Sequence, residues 1–539
     1  MRGQRFWLGA IVTTVALVSG AWLLQRDAGR AGGVYQQARL FDDVVAHVAD
    51  YYVDQIDERD LYQMAIDGLL DRLGDPYSAL LRREDFRALS EQTRGTYTGL
   101  GIQIDVRDGW ITVVAPLPET PAERAGVRSG DRIVELDGRS TEGWKNDEAV
   151  RELRGPAGTA AVLTIRRPGV PEAIAFRITR ATIHIRSVGL ALMLDSRVGY
   201  IALSPVSETS ADEMSHAVQQ LTSKGMKSLV LDLRGNPGGL LDQGIAVSDL
   251  FLDPGQAVVA TRGRAPNTTR TYRDQQRQVW PDLPIVVLVN GGTASAAEII
   301  AGAMQDHDRA VVLGTPTFGK GLVQSLWEIA PNTALKLTTA RWYTPSGRTI
   351  QRPSKDEDEQ AEQVARSERE PAPVAEGRRV DTAAVDSSLL FRTDAGRVVY
   401  GGGGIRPDIF VPADTYTTVE RRFIQALGGK YAVFRDVLST YALEFKAQGD
   451  FTRPDFRVSD VMIDEVLRRM RAKGAPVPDS VRVGARTMIA QQLGYEAARY
   501  VFGREAEFRR RMADDTQVQR ALGLAARART PKDLLVLAK

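Results

Sequence analysis

The amino-acid sequence predicts a multidomain α+β protein with an N-terminal membrane segment and a helical C-terminal region. Its 539 residues are enough for three or four domains, and 43% of them are hydrophobic, so each domain can bury a core. Short runs rich in Val and Ile alternate with glycine-rich turns and helix-patterned segments through the middle of the chain. That alternation is typical of domains that mix sheets with helices.

Composition excludes several classes of function. The formal net charge is +2, which gives no basis for a nucleic-acid-binding surface. The chain contains no cysteine, so it forms no disulfide and no thiolate metal site, and its four histidines show no metal-ligand spacing. We therefore expect no metal, no cofactor and no nucleic-acid partner.

The first segment, residues 1–30, predicts a membrane anchor. Arg2 and Arg5 precede an apolar run at residues 6–24, which is just long enough to span a bilayer. The positive residues keep the start of the chain on the cytoplasmic side. A signal peptide cleaved after Ala21 is the alternative to the retained anchor that we favour. Either way we expect the rest of the chain to be exported. The favoured form is a single-pass protein of the inner (cytoplasmic) membrane, with the remainder of the chain in the periplasm or outside the cell.

The next segment, residues 34–94, predicts helices, because apolar residues recur at helical spacing. Examples on one face are Phe41, Val45, Val48 and Tyr52. We expect this segment to form a helical cap or a dimerisation arm.

Glycine-containing turns, an alternating strand and an amphipathic helix predict a separate domain at residues 95–183. Residues 99–102 are Gly-Leu-Gly-Ile ahead of an alternating strand, Asp137-Gly138 is typical of a hairpin turn, and residues 146–154 are patterned as an amphipathic helix. With the string SGDRIVELDG in register, the segment resembles a PDZ domain, a small β-sandwich or barrel. The resemblance implies a loop that binds the terminal carboxylate of a peptide, which then adds as a strand. The residues of that loop are Gly99, Leu100, Gly101 and Ile102.

A serine follows a predicted buried strand in the third domain. Residues 284–289 are apolar and rich in Ile and Val, residues 290–292 turn the chain, and a helical pattern follows. Ser295 therefore lies in the first turn of a helix, where free N–H groups and the helix dipole favour negative charge. Such a serine can attack a carbonyl while the N–H of Ala296 holds the developing oxyanion.

A lysine is the candidate base for this serine. The histidine nearest in sequence, His307, lies twelve residues along the predicted helix, roughly 18 Å away at about 1.5 Å per residue. Lys320 follows a Gly/Pro loop after another predicted strand, and burial lowers the pKa of a lysine towards the range in which it accepts a proton. On the following predicted strand Gln324 would share a face with Lys320 and could orient its amine.

These segments resemble the C-terminal processing (tail-specific) proteases, the S41 family of serine peptidases. Ser295 precedes Ala-Ala-Glu-Ile, Lys320 lies within Thr-Phe-Gly-Lys-Gly, and the string LVLDLRGNPGGLL matches a further family segment. The resemblance implies that Ser295 is the nucleophile, Lys320 the general base and Gln324 the residue that orients the lysine. It also implies that the N–H of Gly239, in the third string, completes the oxyanion hole with Ala296.

The same resemblance implies a crotonase-like α/β protease core, which we place at residues 184–352 and 398–414. Residues 353–397 interrupt this core and are dense in charged residues, Ala and Pro, so we expect a flexible charged insertion. Residues 415–539 are helix-patterned and predict a C-terminal helical domain. It could pack against the core, form a homo-oligomer or bind an adaptor protein, and the sequence does not choose among these.

The sequence thus predicts a serine endopeptidase that cleaves exported proteins at or near their C-terminal tails. The PDZ domain would recognise the tail and gate the activity, so protein and peptide C-termini are the expected partners. One alternative is a catalytically silent PDZ scaffold, against which the presence of all three predicted catalytic residues argues. The other is a crotonase-like CoA enzyme, which would leave the PDZ domain and the export segment without a purpose.

Overall fold

The computed structural model describes residues 35–107, 109–167, 170–353 and 389–539. The anchor predicted at residues 1–30 and most of the insertion predicted at 353–397 lie outside these residues. Within the described ranges, no helix has both the length and the hydropathy that a membrane span requires. The chain divides into two compact units, the first containing residues 35–82 and 326–337 and the second residues 83–325 and 338–539.

The first unit contains two helices and a strand pair. Helix α1 covers residues 35–51 and α2 covers Glu58–Asp71. The side chain of Asp57 accepts a hydrogen bond from the backbone N–H of Arg59 and so caps α2. Strand β1 (Ala79–Arg82) pairs antiparallel with residues 333–336 of strand β18 (Thr333–Tyr343).

The second unit begins with helix α3 (Arg83–Arg94) and a small β-module. Five strands of the module form a sheet in the order β3-β4-β5-β7-β8, with β6 on β5, and β3 lies at its edge. Strand β2 pairs instead with β9, which brings the two ends of the module together. The elements are β2 (Thr96–Gly99), β3 (Ile102–Arg107), β4 (Trp110–Pro116), α4 (Pro121–Ala125), β5 (Arg132–Leu136), β6 (Arg139–Ser140), α5 (Asn146–Leu153), β7 (Ala160–Arg166), β8 (Ile174–Thr179) and β9 (Ala181–His184).

A six-stranded sheet forms the centre of the second unit, in the order β10-β11-β12-β15-β16-β21. Neighbours from β11 to β21 run parallel, and β10 is antiparallel to β11. Helices cover both faces, as parallel sheets require. The elements up to β16 are β10 (Val188–Met193), β11 (Val198–Leu203), α6 (Ser210–Ser223), β12 (Ser228–Asp232), α7 (Leu241–Asp249), β13 (Ala257–Gly263), β14 (Arg270–Arg273), β15 (Ile285–Val289), α8 (Ala296–Asp306) and β16 (Val311–Gly314).

The two faces of this sheet have separate cores. Leu229 and Leu231 of β12 pack with α6, α7 and α8 on one face, whereas Val230 between them packs on the other. The alternation follows from the two-residue period of a strand. Along the remaining chain lie β17 (Leu322–Ala330), β19 (Leu390–Arg392), β20 (Val398–Tyr400), β21 (Ile409–Phe410), α9 (Thr418–Ala426), α10 (Tyr431–Gln448), α11 (Asp460–Ala472), α12 (Asp479–Phe502), α13 (Arg504–Asp514), α14 (Thr516–Ala525) and α15 (Pro531–Leu537).

The structure corrects two predicted boundaries. Helices α9 to α12 share a core of their own, but residues of α13, α14 and α15 pack on the second face of the central sheet. The boundary predicted at residue 415 therefore does not separate the tail from the protease core. The end of the predicted insertion is also structured, because β19 pairs with β20 and Arg397 forms an ion pair with Asp308.

Candidate active site

Three loops meet at the carboxyl end of the central sheet. Strands β12, β15 and β16 are neighbours and run parallel, so the segments that leave them emerge on the same side. The loop after β12 contains Gly238 and Gly239, the one after β15 ends at Ser295, and the one after β16 ends near Lys320. The sheet therefore gathers residues that are far apart in the sequence.

Ser295 is the N-cap of α8 rather than a residue of its first turn. Its backbone has φ 54° and ψ −119°, a conformation that costs energy for a residue with a side chain. The backbone N–H of Ser295 donates to Oε2 of Glu298 at 2.8 Å, which holds the strained residue in place. The serine is half-buried at the start of a helix, where developing negative charge is favoured.

The glycine loop after β12 closely approaches this serine. A Cβ atom added to Gly238 would lie 2.8 Å from Cβ of Ser295 and 2.8 Å from the N atom of Ala296, so only glycine fits there. The N–H of Gly238 is engaged, because it donates to Oδ1 of Asn236 at 2.9 Å. By contrast, no acceptor among the described residues takes the N–H of Gly239 or of Ala296. Both N–H groups thus remain available to an incoming oxygen.

Glu298 ties the serine segment to the lysine segment. Its side chain is fully buried and accepts four hydrogen bonds. The donors are the N–H groups of Ser295 (2.8 Å), Gly319 (2.8 Å) and Lys320 (2.9 Å) and the hydroxyl of Thr317 (2.5 Å). Burial raises the pKa of Glu298, and these hydrogen bonds oppose that shift.

The shared carboxylate limits the distance between the two predicted catalytic residues. The N–H groups of Ser295 and Lys320 donate to the same oxygen, Oε2 of Glu298, at 2.8 and 2.9 Å. Their backbone nitrogens are therefore at most 5.7 Å apart. A lysine side chain is long enough to bridge such a gap.

Lys320 lies in a loop, two residues before β17 begins, and not on a strand. The prediction that Lys320 and Gln324 share a strand face is therefore wrong, because the loop between β16 and β17 continues through Gly321. The loop is fixed on its other side as well, since Nε1 of Trp342 donates to the carbonyl of Lys320 at 3.0 Å. Gln324 lies on β17 and donates to the hydroxyl of Thr338 across a long 3.5 Å contact.

Arg352 also stabilises the loop that contains Lys320, through hydrogen bonds to backbone carbonyls. Arg352 is 8% exposed, and its guanidinium donates to the carbonyls of Thr317 (3.0 Å), Phe318 (3.1 Å) and Gly403 (2.8 Å). Burial lowers the pKa of Arg352, and the charge of Glu298 opposes that shift. The carboxylate at the centre of the site thus has a positive charge near it.

His307 takes no part in this arrangement, as expected. It caps the opposite end of α8 and bonds to Asp394 and to the carbonyl of Ala257, each at 2.7 Å. Among the described residues, no group of three or more His, Asp or Glu residues is arranged to hold a metal ion.

The predicted peptide-binding loop lies at the open edge of the β-module. Gly101 has φ 78°, and a Cβ atom there would lie 2.3 Å from Cβ of Thr120, so this position requires glycine. Leu100 is only 2% exposed and belongs to the core of the module, and its carbonyl accepts a hydrogen bond from the N–H of Ala122 at 3.0 Å. Gly99 ends β2 and Ile102 begins the edge strand β3.

Sequence reasoning missed the roles of two buried side chains. Glu298 stands three residues after Ser295, and the Ser-x-x-Glu spacing of a capping box could have identified it. Asn236 is 0% exposed; it donates to the carbonyl of Leu203 (2.7 Å) and accepts from Gly238, which fixes the glycine loop. Its partner Leu203 is 33 residues away, so no local signal could have revealed that contact.

Comparisons with known families agree with the domain order. Residues 197–360 match peptidase family S41, residues 112–167 match a PDZ domain, and residues 25–85 match the N-terminal domain of the activating protease CtpB. The PDZ prediction and the S41 prediction are thereby confirmed.

Two relatives with similar sequences support the same grouping. The chain is 42% identical over 321 residues to a carboxy-terminal-processing protease of Bartonella bacilliformis, covering 59% of this chain and 73% of that protein. It is 38% identical over 302 residues to the carboxy-terminal processing protease CtpA of Bacillus subtilis, covering 56% and 64%. Among solved structures, a photosystem II D1 C-terminal processing protease is 30% identical with a TM-score of 0.33, covering 58% of this chain and 89% of that one.

Proposed function

Because the chain belongs to the carboxy-terminal-processing proteases of peptidase family S41, which are serine-type enzymes, we propose that Ser295 and Lys320 form its catalytic dyad. The observation that carries this proposal is the hydrogen bonding of both backbone N–H groups to one carboxylate oxygen of Glu298. That contact supports a nucleophile and a base that are held close together.

In the proposed reaction the hydroxyl of Ser295 attacks the scissile carbonyl while the neutral amine of Lys320 accepts its proton. The oxyanion that forms is stabilised by the N–H groups of Gly239 and Ala296. Lys320 then gives the proton to the departing amine. The remaining acyl group stays bound to Ser295 as an ester, the acyl-enzyme. Water, activated by the same lysine, hydrolyses this ester and regenerates the serine. Gln324 acts as the residue that orients the lysine.

The substrate is proposed to be the unstructured C-terminal tail of an exported protein. The support is the edge position of β3, where a peptide can add as a further strand, and the adjoining loop at residues 99–102. Helix α5 lies beside this edge with Ala149 and Leu153 buried against the module. Binding of the tail there would deliver the adjoining chain to Ser295 and gate its activity.

The N-terminal sequence is the basis for a proposed location of the enzyme. We propose that residues 1–30 anchor it in the inner membrane and that the catalytic part faces the periplasm or the outside of the cell. Residues 34–94 then form a cap or a dimerisation arm, and a homo-oligomer or an adaptor protein remains a proposed partner.

The dyad is tested by cleavage of a tail peptide, with new termini located by mass spectrometry. Ser295→Ala and Lys320→Arg are expected to abolish cleavage while tail binding persists, since arginine stays protonated. Lys227→Arg, at an exposed lysine, is the matched control and should keep full activity. Substantial turnover by Lys320→Arg would show that another group is the base.

A further inference from the structure

A cavity outside the candidate active site has the character of an anion-binding pocket. It lies between the β19–β20 hairpin, strand β21 and the end of helix α15, and its volume is about 230 Å³. That equals the liquid volume of about eight water molecules, enough for one amino-acid residue. Much of its wall is apolar, formed in part by Val399, Phe410 and Leu535.

Among the described residues, the Arg406 guanidinium in this cavity has no carboxylate partner. The guanidinium of Arg406 lies over the ring of Tyr400, 4.8 Å from its centroid. Within the described part of the chain, the Arg406 side chain forms no ion pair and donates no hydrogen bond. Burial lowers the pKa of Arg406, with Tyr400 opposing the shift, as happens when a cation is withdrawn from water without a neighbouring acid.

Arg397, Asp408 and Gln305 also line the cavity, and each of them has a polar partner. Arg397 forms ion pairs with Asp308 and Asp408, each at 2.5 Å. Asp408 also accepts hydrogen bonds from Nε2 of Gln305 at 3.0 Å and from the backbone N–H of Val312 at 2.8 Å. Nε2 of Gln305 donates to the backbone carbonyl of Arg406 as well, at 2.9 Å. Lys539 also lines the cavity. Arg352 lies close enough to Arg406 for the charge of Arg406 to lower the pKa of Arg352. Two positive charges therefore act on this side of the cavity.

We propose that this cavity binds a carboxylate joined to a short apolar group, with the carboxylate on Arg406 and the apolar group against Phe410 and Leu535. A guanidinium donates two parallel hydrogen bonds to a carboxylate, and apolar walls with few polar groups are typical of ligand pockets. Pro316 also lines the cavity and precedes Thr317, a direct donor to Glu298. The inference does not depend on the proposed catalytic dyad.

The test is isothermal titration calorimetry on the full-length chain carrying Ser295→Ala, which prevents turnover. N-acetyl-leucine should bind saturably, and N-acetyl-leucinamide should bind at least tenfold more weakly. Arg406→Gln should lose at least tenfold in affinity for the acid, and Arg406→Lys should lose several-fold, because lysine keeps the charge without the planar fork.

Arg392→Gln is the matched control, since it changes an exposed arginine of the same hairpin that does not line the cavity. Its affinity should equal that of the parent chain. Absence of saturable binding, equal binding of acid and amide, or an unchanged affinity in Arg406→Gln would overturn the proposal. Circular dichroism checks that each variant is folded, and Arg406→Lys supplies the comparison if the glutamine variant is not.

Two natural sources share this chemistry, the C-terminal residue of a peptide and a free short-chain fatty acid. The peptide N-acetyl-Ala-Ala-Leu and hexanoate are therefore titrated separately, and only the component of binding lost in Arg406→Gln is assigned to the cavity. Peptide binding alone identifies a protein tail as the source, and hexanoate binding alone identifies the free acid. Binding of both supports the shared chemistry, and binding of neither overturns the proposal.

Discussion

Replacing Glu298 by glutamine should uncouple the serine from the lysine without removing either. The native carboxylate accepts only, and its two oxygens each serve two donors. An amide presents one oxygen and one NH2 group, so one pair of donors must face another donor. If the NH2 group takes the place of Oε1, the hydroxyl of Thr317 can turn and accept a hydrogen bond from it, but the N–H of Gly319 loses its acceptor. In the other orientation the N–H groups of Ser295 and Lys320 both lose theirs.

The expected cost follows from these counts. One or two buried N–H groups without an acceptor cost about 1–3 kcal/mol each. Relief of the buried charge offsets part of this, because burial opposes the ionised form of Glu298. We expect the substitution to cost about 2 kcal/mol of stabilising free energy. If this loss raises the activation free energy of cleavage by the same amount, the rate drops roughly 30-fold.

The assay is kcat for a quenched tail peptide, measured at a temperature where thermal unfolding shows the variant to be folded. Thr317→Ser keeps the hydroxyl donor and is the matched control, expected to retain most of its activity. A Glu298→Gln enzyme with kcat within twofold of the parent would refute the idea that this carboxylate positions the dyad.

Three further outcomes can be checked. Burial and the nearby charge of Asp274 raise the pKa of Asp249 from 3.8 to about 7, so between these values the native state holds a proton that the unfolded chain has released. Stability should therefore fall as the pH rises through that window, and Asp249→Asn should flatten the dependence of the urea midpoint between pH 4 and pH 8. Arg348→Met should destabilise by about 3–5 kcal/mol in denaturant unfolding, because it leaves the buried carboxylate of Asp306 without its 2.7 Å partner, whereas Arg392→Met at the surface should be near neutral. Amidating the C-terminus of a substrate should raise KM or slow activation, and equal cleavage of free and amidated peptides would exclude tail recognition through residues 99–102.

Elements set by local signals were predictable from the sequence. The strand at Val311–Gly314 and the helix at Pro121–Ala125 each follow from a strong local signal, an apolar β-branched run in the first case and a helix-start proline in the second. The turn at Asp137-Gly138 also forms, with both residues at positive φ. Such features depend on a few adjacent residues, which the sequence displays directly.

Features set by distant contacts were not predictable in the same way. The tail helices carry apolar residues at helical spacing, but that spacing does not say which surface they cover, and Val518 and Leu524 of α14 pack on the central sheet. Order in the last part of the predicted insertion depends on ion pairs such as that of Arg397 with Asp308, 89 residues away. Composition alone favoured a flexible segment there, because it contains few large apolar residues.

The candidate site combines both kinds of information. The types of its reacting groups could be inferred from short strings, since a serine at a helix start and a lysine after a glycine loop are local features. Their separation could not, because it depends on the parallel order of β15 and β16 and on Glu298. Since one oxygen of that carboxylate receives the N–H groups of both residues, the proposed nucleophile and the proposed base are both held by the same buried atom. A site without histidine needs this rigidity, because a flexible lysine positions its own amine poorly and must receive its geometry from the backbone that carries it.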